Sequence, residues 1–377
     1  MNNINIKAKK TRTLNKMRFM EITSKYDPIY ANIYCVMASK RTATLSKNEL
    51  KRDLANLYDA RLSVVQSIDN NIITLRYTLT SILDQFLPTP ASAEVDELFA
   101  QVLKPTDFDP AEIKSAASEL SLYVSNYFDN KQNIASSRLN EMISDDHLTL
   151  TVEEIVEFYQ NPDIEAIQAF IKSIYAVEPL ALNFNDGPAK FVQEHSQLNH
   201  QLRAYKPADD VEIDLKLDQT YIAIAYQLPN DNVTLNNLVN LIFGGGVYSK
   251  LFKVVREELS LSYNIRSNLK SDDLITVSGG VNNQKLDIAT AEIDQQLEVL
   301  KSGDFKEELK LAKTNYIENL KRSKTSEMAY ISMYGSNFLK NTNRTHESII
   351  EEIELITYEQ VQTQIMQIKK LTSVYVK

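Results

Sequence analysis

The sequence is poor in the residues that carry most recognisable chemistry. Its 377 residues include one cysteine, four histidines, eight glycines and no tryptophan. A single cysteine, Cys35, excludes an intrachain disulfide and fits a reducing compartment. No histidine lies near it in sequence to activate a nucleophilic thiol, so Cys35 reads as a small buried apolar residue. No apolar run approaches the roughly 20 residues needed to cross a bilayer. The net charge of −9 is the wrong sign for a chain whose main task is gripping nucleic-acid phosphates. Of His147, His195, His200 and His346, only His195 and His200 are close together. A helix would turn that pair roughly 140° apart, unlike the His-x-x-x-His or His-x-x-Glu-His spacing of a helical zinc site. There are no Cys pairs and no Ser-His-Asp grouping.

What is present is ordinary globular material, 43% hydrophobic and 24% charged, in a chain long enough for two domains. Its start is basic, with Lys7, Lys9, Lys10, Arg12, Lys16 and Arg18 all before Glu21. The alternation in Ile4–Lys7 and Met17–Met20 reads as a basic edge strand, with an organellar presequence the alternative. Asp69-Asn70-Asn71 between two β-rich runs predicts a hairpin. Helical periodicity runs over 48–62, 93–103, 109–128, 151–159 and 163–175, and a strand closes the half at 179–184. Polar, proline-bearing residues 188–212 read as a linker. The second half repeats the order: a strand at 221–226, helices at 234–243 and 249–259, and a hairpin over 262–281. Long helices and a closing strand at 373–376 follow. The expected fold class is therefore α+β. It has two similarly folded domains, 1–187 and 213–377, each a mainly antiparallel sheet with helices on one face.

Glycine placement is the sharper signal. Of the eight glycines, Gly244, Gly245, Gly246, Gly279 and Gly280 fall in one short stretch, marking backbone that turns tightly or approaches something closely. Gly244–Gly246 separates two helices and leads to Ser249 near a helix start. An anion cradle is one reading, but the strand before and the Lys-Ser/Thr after that a phosphate loop needs are missing. A tight interhelical turn accounts for it better. Beyond it, Arg256 sits late on a helix whose core face is Leu251, Phe252, Val255 and Leu259, and Tyr263 opens the next strand. Alone, these two read as a solvated charge and a half-buried ring.

The block from Leu235 to Tyr263 changes that weighting. Its order of helix, Gly244-Gly245-Gly246, Ser249-Lys250-Leu251-Phe252, Arg256-Glu257 and Ser260-Leu261-Ser262-Tyr263 resembles the C-terminal half of the insulinase and mitochondrial-processing-peptidase family, the inverted-zincin metallopeptidases. Lys250 stands where that pattern has Arg, and Ser260 where it has a late Gly. The resemblance implies that Arg256 and Tyr263, with Gly244–Gly246 and Ser249 around them, hold peptide substrate. In the first half, Met37–Thr42 and Leu54–Ala60 resemble the segment after the family's His-x-x-Glu-His. That register puts Asn32, Cys35 and Val36 at the zinc and base positions, and the distal zinc-binding Glu in the 119–129 helix.

The resemblance thus implies a metal-free, non-catalytic subunit of a two-chain zinc peptidase. This cytoplasmic chain would position peptide, while a paralogous partner supplies zinc, bound water and the general base. The alternative is a stand-alone peptide- or protein-binding scaffold, a homodimer with no proteolytic role. An active peptidase with unusual ligands ranks behind both.

Overall fold

A computed structural model describes residues 10–144, 148–181, 196–201, 203–229 and 232–377. The expected strand at 4–7, His147, His195 and the second half of the strand at 179–184 lie outside them. Among the described residues no helix is long and apolar enough to cross a membrane. The chain gathers into two compact units. One comprises Met1–Val124, Glu153–Leu202 and Ser323–Asn343; the other comprises Ser125–Val152, Arg203–Arg322 and Arg344–Lys377. These units cross the division at 187 and 213 read from the sequence, because each half of the chain contributes a segment to the unit built mainly by the other.

The first unit is built on β1 (Thr11–Glu21), α1 (Asp27–Ala38), α2 (Lys47–Asn56), β2 (Arg61–Asp69) and β3 (Ile72–Ile82). After these come α3 (Ser92–Val102), α4 (Pro110–Asp129), which runs on into the second unit, and then α5 (Lys131–Ile143) there. α6 (Val152–Gln160), α7 (Ile164–Ala176) and the short β4 (Leu180–Ala181) return to the first unit. Its sheet has the order β2-β3-β1-β4, with every pair antiparallel. The β2–β3 hairpin turns at Asn70-Asn71, where Asn70 takes φ 54°, a conformation Asn tolerates better than most residues. α2 starts on a capping box, Ser46 with Glu49. It stops at Asn56, earlier than its periodicity predicts, because Tyr58 and Asp59 both take φ 56° and end the helix.

The second unit contains β5 (Val211–Ile213), β6 (Gln219–Gln227), α8 (Val233–Asn240), β7 (Arg266–Ser271), β8 (Leu274–Asn282), α9 (Leu286–Lys301) and α10 (Lys306–Ser323). α11 (Glu327–Lys340) goes to the first unit, and α12 (His346–Leu355), α13 (Tyr358–Met366) and β9 (Lys369–Val376) complete the second. Its sheet order is β5-β9-β6-β8-β7, antiparallel except for β5 on β9. With β5 set aside, β7-β8-β6-β9 has the same order as β2-β3-β1-β4. The two units therefore repeat one mainly antiparallel α+β fold, as the element order predicts. β5 crosses the end of the expected linker into the second domain.

Most helices pack on one face of each sheet, but one helix covers the opposite face. In the second unit α5 does this, with Ala135, Leu139 and Ile143 against Ala223, Ala225 and Val374. In the first unit α11 does it, with Tyr330, Ile331 and Leu339 against Met17, Phe19 and Ile72. This explains why β1, β3 and β6 are buried almost continuously instead of on alternate residues.

One buried charge organises the first unit. Arg18 on β1 is almost wholly buried. Its Nε donates to the carbonyl of Val177 (2.9 Å) and an Nη to that of Leu103 (3.1 Å). Val177 and Leu103 are the C-terminal caps of α7 and α3, so two helix ends present their negative poles to one cation. Its guanidinium also lies 5.2 Å from the Tyr77 ring and 5.6 Å from that of Tyr175. The hydroxyls of Tyr77 and Tyr34 share a 2.7 Å hydrogen bond, and burial pushes the Tyr77 phenol up to about 12, against a lowering by Arg18.

Candidate functional site

The helix after β6 does not end cleanly at Asn240. It widens over Leu241–Gly245, and the next helix, Leu251–Glu258, is wide-turned throughout, with i→i+5 bonding such as Leu259 N–H to Val254 O (3.0 Å). Such turns are rare and concentrate at functional sites. Widening leaves the Asn240 carbonyl within 3.1 Å of the Ser267 hydroxyl, which also lies 2.7 Å from Asn240 Oδ1. This junction is what needs glycine. A Cβ on Gly245 would stand 2.6 Å from Asn240 Nδ2, and one on Gly244 would stand 2.9 Å from the Ser267 nitrogen. Close approach, not positive φ, is the requirement. Gly246 ends the turn, and its carbonyl accepts from Ser249 N (3.0 Å). Ser249 is buried and its hydroxyl accepts from Phe252 N (3.3 Å), so it caps the helix start.

Arg256 and Tyr263 come together. The guanidinium carbon of Arg256 lies 4.7 Å from the Tyr263 ring centre and 4.4 Å from that of Phe252. Arg256 Nε faces Glu257 Oε1 at 3.3 Å. Tyr263 is 82% exposed and sits ahead of β7 in a loop, not in the strand that alternation predicts. Gly279 and Gly280 hold that loop: Ser262 donates to the Gly280 carbonyl (2.8 Å), Gly280 N donates to Asn264 Oδ1 (2.8 Å), and a Cβ on Gly279 would meet Ile265 Cα at 3.0 Å. Phe252, expected on the core face with Leu251 and Val255, is instead half-buried beside Arg256. Leu259, expected there too, is exposed.

Two departures from the family pattern have structural consequences. Ser260 takes φ 49°, a left-handed conformation costing a non-glycine residue on the order of 1 kcal/mol. Ser260→Gly should therefore raise thermal stability by about 1–3 °C; a lower melting temperature in a calorimetric scan would contradict this. Lys250 is buried, with its Nζ 3.2 Å from Asp304 and 3.6 Å from Glu308, while Lys253 Nζ lies 2.8 Å from Glu308. Burial pushes the Glu308 carboxyl up, but Lys253, a backbone hydrogen bond and Lys250 together outweigh it and leave the group below its ordinary value. A depressed folded value gives stability that is present above the unfolded pKa of about 4.3 and lost as pH falls through the folded value. Urea midpoints should accordingly fall more steeply with acid in wild type than in Glu308→Gln. Parallel curves would show that the pair contributes nothing.

At the positions where the resemblance places zinc, the side chains do not fit a metal. Asn32 on α1 hydrogen-bonds the buried Tyr159 hydroxyl, a phenol that burial pushes up to about 12. Burial alone pushes the Cys35 thiol up to about 12, so it stays protonated, and Val36 has no donor atom. On α4, Glu119 pairs with Lys40, and Glu112 pairs with Arg41 (2.5 Å to Nε). Among the described residues no three His, Cys, Asp or Glu side chains converge on a point where an ion could bind. His200 packs on the β2–β3 turn, its Nε2 3.3 Å from Asn70 Nδ2, and His346 is buried in the first turn of α12.

Residues 163–316 match the family described as Peptidase M16 inactive domain. A Rickettsia bellii protein named an uncharacterized zinc protease is 24% identical over 179 residues, 46% of this chain and 40% of that one. The probable inactive metalloprotease YmfF of Bacillus subtilis is 25% identical over 257 residues, 62% of this chain and 59% of that one. The matched stretches thus span less than two thirds of these relatives. Among solved structures, a conserved protein from Enterococcus faecalis superposes with TM-score 0.81 at 17% identity, covering 98% of this chain and 94% of that one. A peptidase M16 inactive domain from Pseudomonas fluorescens gives 0.66 at 16%, covering 97% and 92%. Over residues 163–316 the chain is therefore similar to the inactive domain of the M16 peptidases, the insulinase-type family that its sequence resembles.

Proposed function

We propose that this chain is the non-catalytic subunit of a two-chain zinc peptidase in the cytoplasm, where it binds peptide and positions it for a zinc-bearing paralogue. The observation that carries this reading is the Arg256–Tyr263 pair. A guanidinium and a phenol are brought into contact at the surface on a turn built with otherwise scarce glycines. Such donors suit a peptide carbonyl. The residues at Asn32, Cys35 and Val36 offer no place for the metal, so zinc and its water belong to the partner in this reading.

The test is reconstitution. The chain is purified with a His-x-x-Glu-His relative encoded in the same genome, and hydrolysis of unstructured peptides is measured for each chain and for the mixture. Activity is expected in the mixture alone, together with a stable one-to-one complex. A sharp homodimer that ignores the relative and retains peptide uncut would replace this proposal with the scaffold reading.

A further inference from the structure

We infer that Phe252 is a positioning residue for Arg256, holding the guanidinium so that its terminal amino groups stay available to a peptide carbonyl. The inference rests on the proposed peptide-holding role of Arg256 and Tyr263.

Three observations lead to it. The Phe252 ring is the nearer of the two rings at Arg256, 4.4 Å against 4.7 Å for Tyr263. Phe252 lies outside the hydrophobic core cluster that takes in its neighbours Leu251 and Val255, so its ring is not spent on the core. The wide-turned helix carries Phe252 and Arg256 four residues apart on one side, and the Tyr263 loop returns against them.

Together these contacts leave a specific part of the cation free. The rings lie against the guanidinium and Glu257 faces its Nε. Among the described residues no hydrogen bond occupies the terminal Nη groups. A long arginine on an open surface would otherwise sample many rotamers and lose that freedom on binding. Two aromatic neighbours restrict it beforehand without using its in-plane donors, which is what recognition of an oxygen requires.

The test uses the full chain labelled with 15N-arginine. The Arg256 Nε–Hε resonance, assigned by its loss in Arg256→Lys, is expected to be shifted upfield by the neighbouring rings. Phe252→Leu should move it towards the position of a free arginine, and Phe252→Tyr should keep it. Binding of a pool of fluorescein-labelled random octapeptides, followed by anisotropy, should weaken about five- to tenfold in Phe252→Leu and recover in Phe252→Tyr. A resonance unmoved in Phe252→Leu overturns the inference. So does a Phe252→Leu chain that binds the pool like wild type while Arg256→Ala does not. If wild type and Arg256→Ala bind the pool equally, the peptide-holding reading fails instead, and the resonance by itself decides whether Phe252 positions Arg256.

Discussion

Arg256→Ala should lower peptide hydrolysis by a reconstituted complex about a hundredfold, the usual effect of removing one donor that steadies a reacting carbonyl. The substitution is mild for the fold. Arg256 is absent from the core cluster, and the bonds that close the helix end around it, such as Leu261 N–H to Val255 O (2.9 Å), are made by backbone. Zinc content and complex formation should therefore be unchanged while turnover falls. Arg256→Lys keeps the charge but replaces a planar fork with a point charge that stacks less well on Phe252 and Tyr263, so it should recover only part of the loss. Full activity in the alanine variant, with the complex intact, would remove the central support of the proposed function.

The largest effect on stability is expected at Arg18. Methionine in its place should destabilise the protein by about 3–5 kcal/mol, on the order of 6–20 °C in melting temperature. Two effects oppose each other here. Removing a buried cation relieves its desolvation, which by itself favours the variant. Against that stand two charge-assisted hydrogen bonds, two ring contacts and the negative ends of α3 and α7, all aimed at the same guanidinium. Methionine leaves the part-buried Val177 and Leu103 carbonyls unpaired, at up to about 1–3 kcal/mol each. The second set outweighs the first. Arg18→Lys retains a charge and a donor, and should lose less. Chemical denaturation gives the comparison directly, and an Arg18→Met chain as stable as wild type would show that desolvation dominates.

The repetition of one mainly antiparallel α+β fold was within reach of the sequence because the two halves repeat one order of elements, each with a hairpin in its middle. The glycine cluster was legible because scarce residues in a short stretch leave few interpretations, whereas Arg256 and Tyr263 stood out only through the family resemblance of the block around them. Three features were not. The helix Lys131–Ile143 has a narrow apolar stripe of Ala135, Leu139 and Ile143, and nothing local tells which sheet that stripe will cover. Wide helical turns keep the same residue types as ordinary ones, so a period of 3.6 put Phe252 on the core face instead of under Arg256. Tyr263 alternates like a strand residue, yet the hydrogen bonds of Ser262 and Asn264 to Gly280 hold it in a loop.

The exchange of α5 and α11 makes the two halves of the gene interdependent. A fragment ending near residue 187 would contain α5 but not the sheet it covers, and its own β1–β3 face, with Met17 and Phe19, would lack Tyr330 and Ile331. The complementary fragment would bare Ala223, Ala225 and Val374 in the same way. Neither piece is a self-sufficient folding unit. Synthesis must therefore run nearly to the end of α11 before the first sheet can be closed over, and until then its uncovered face is a standing opportunity for aggregation.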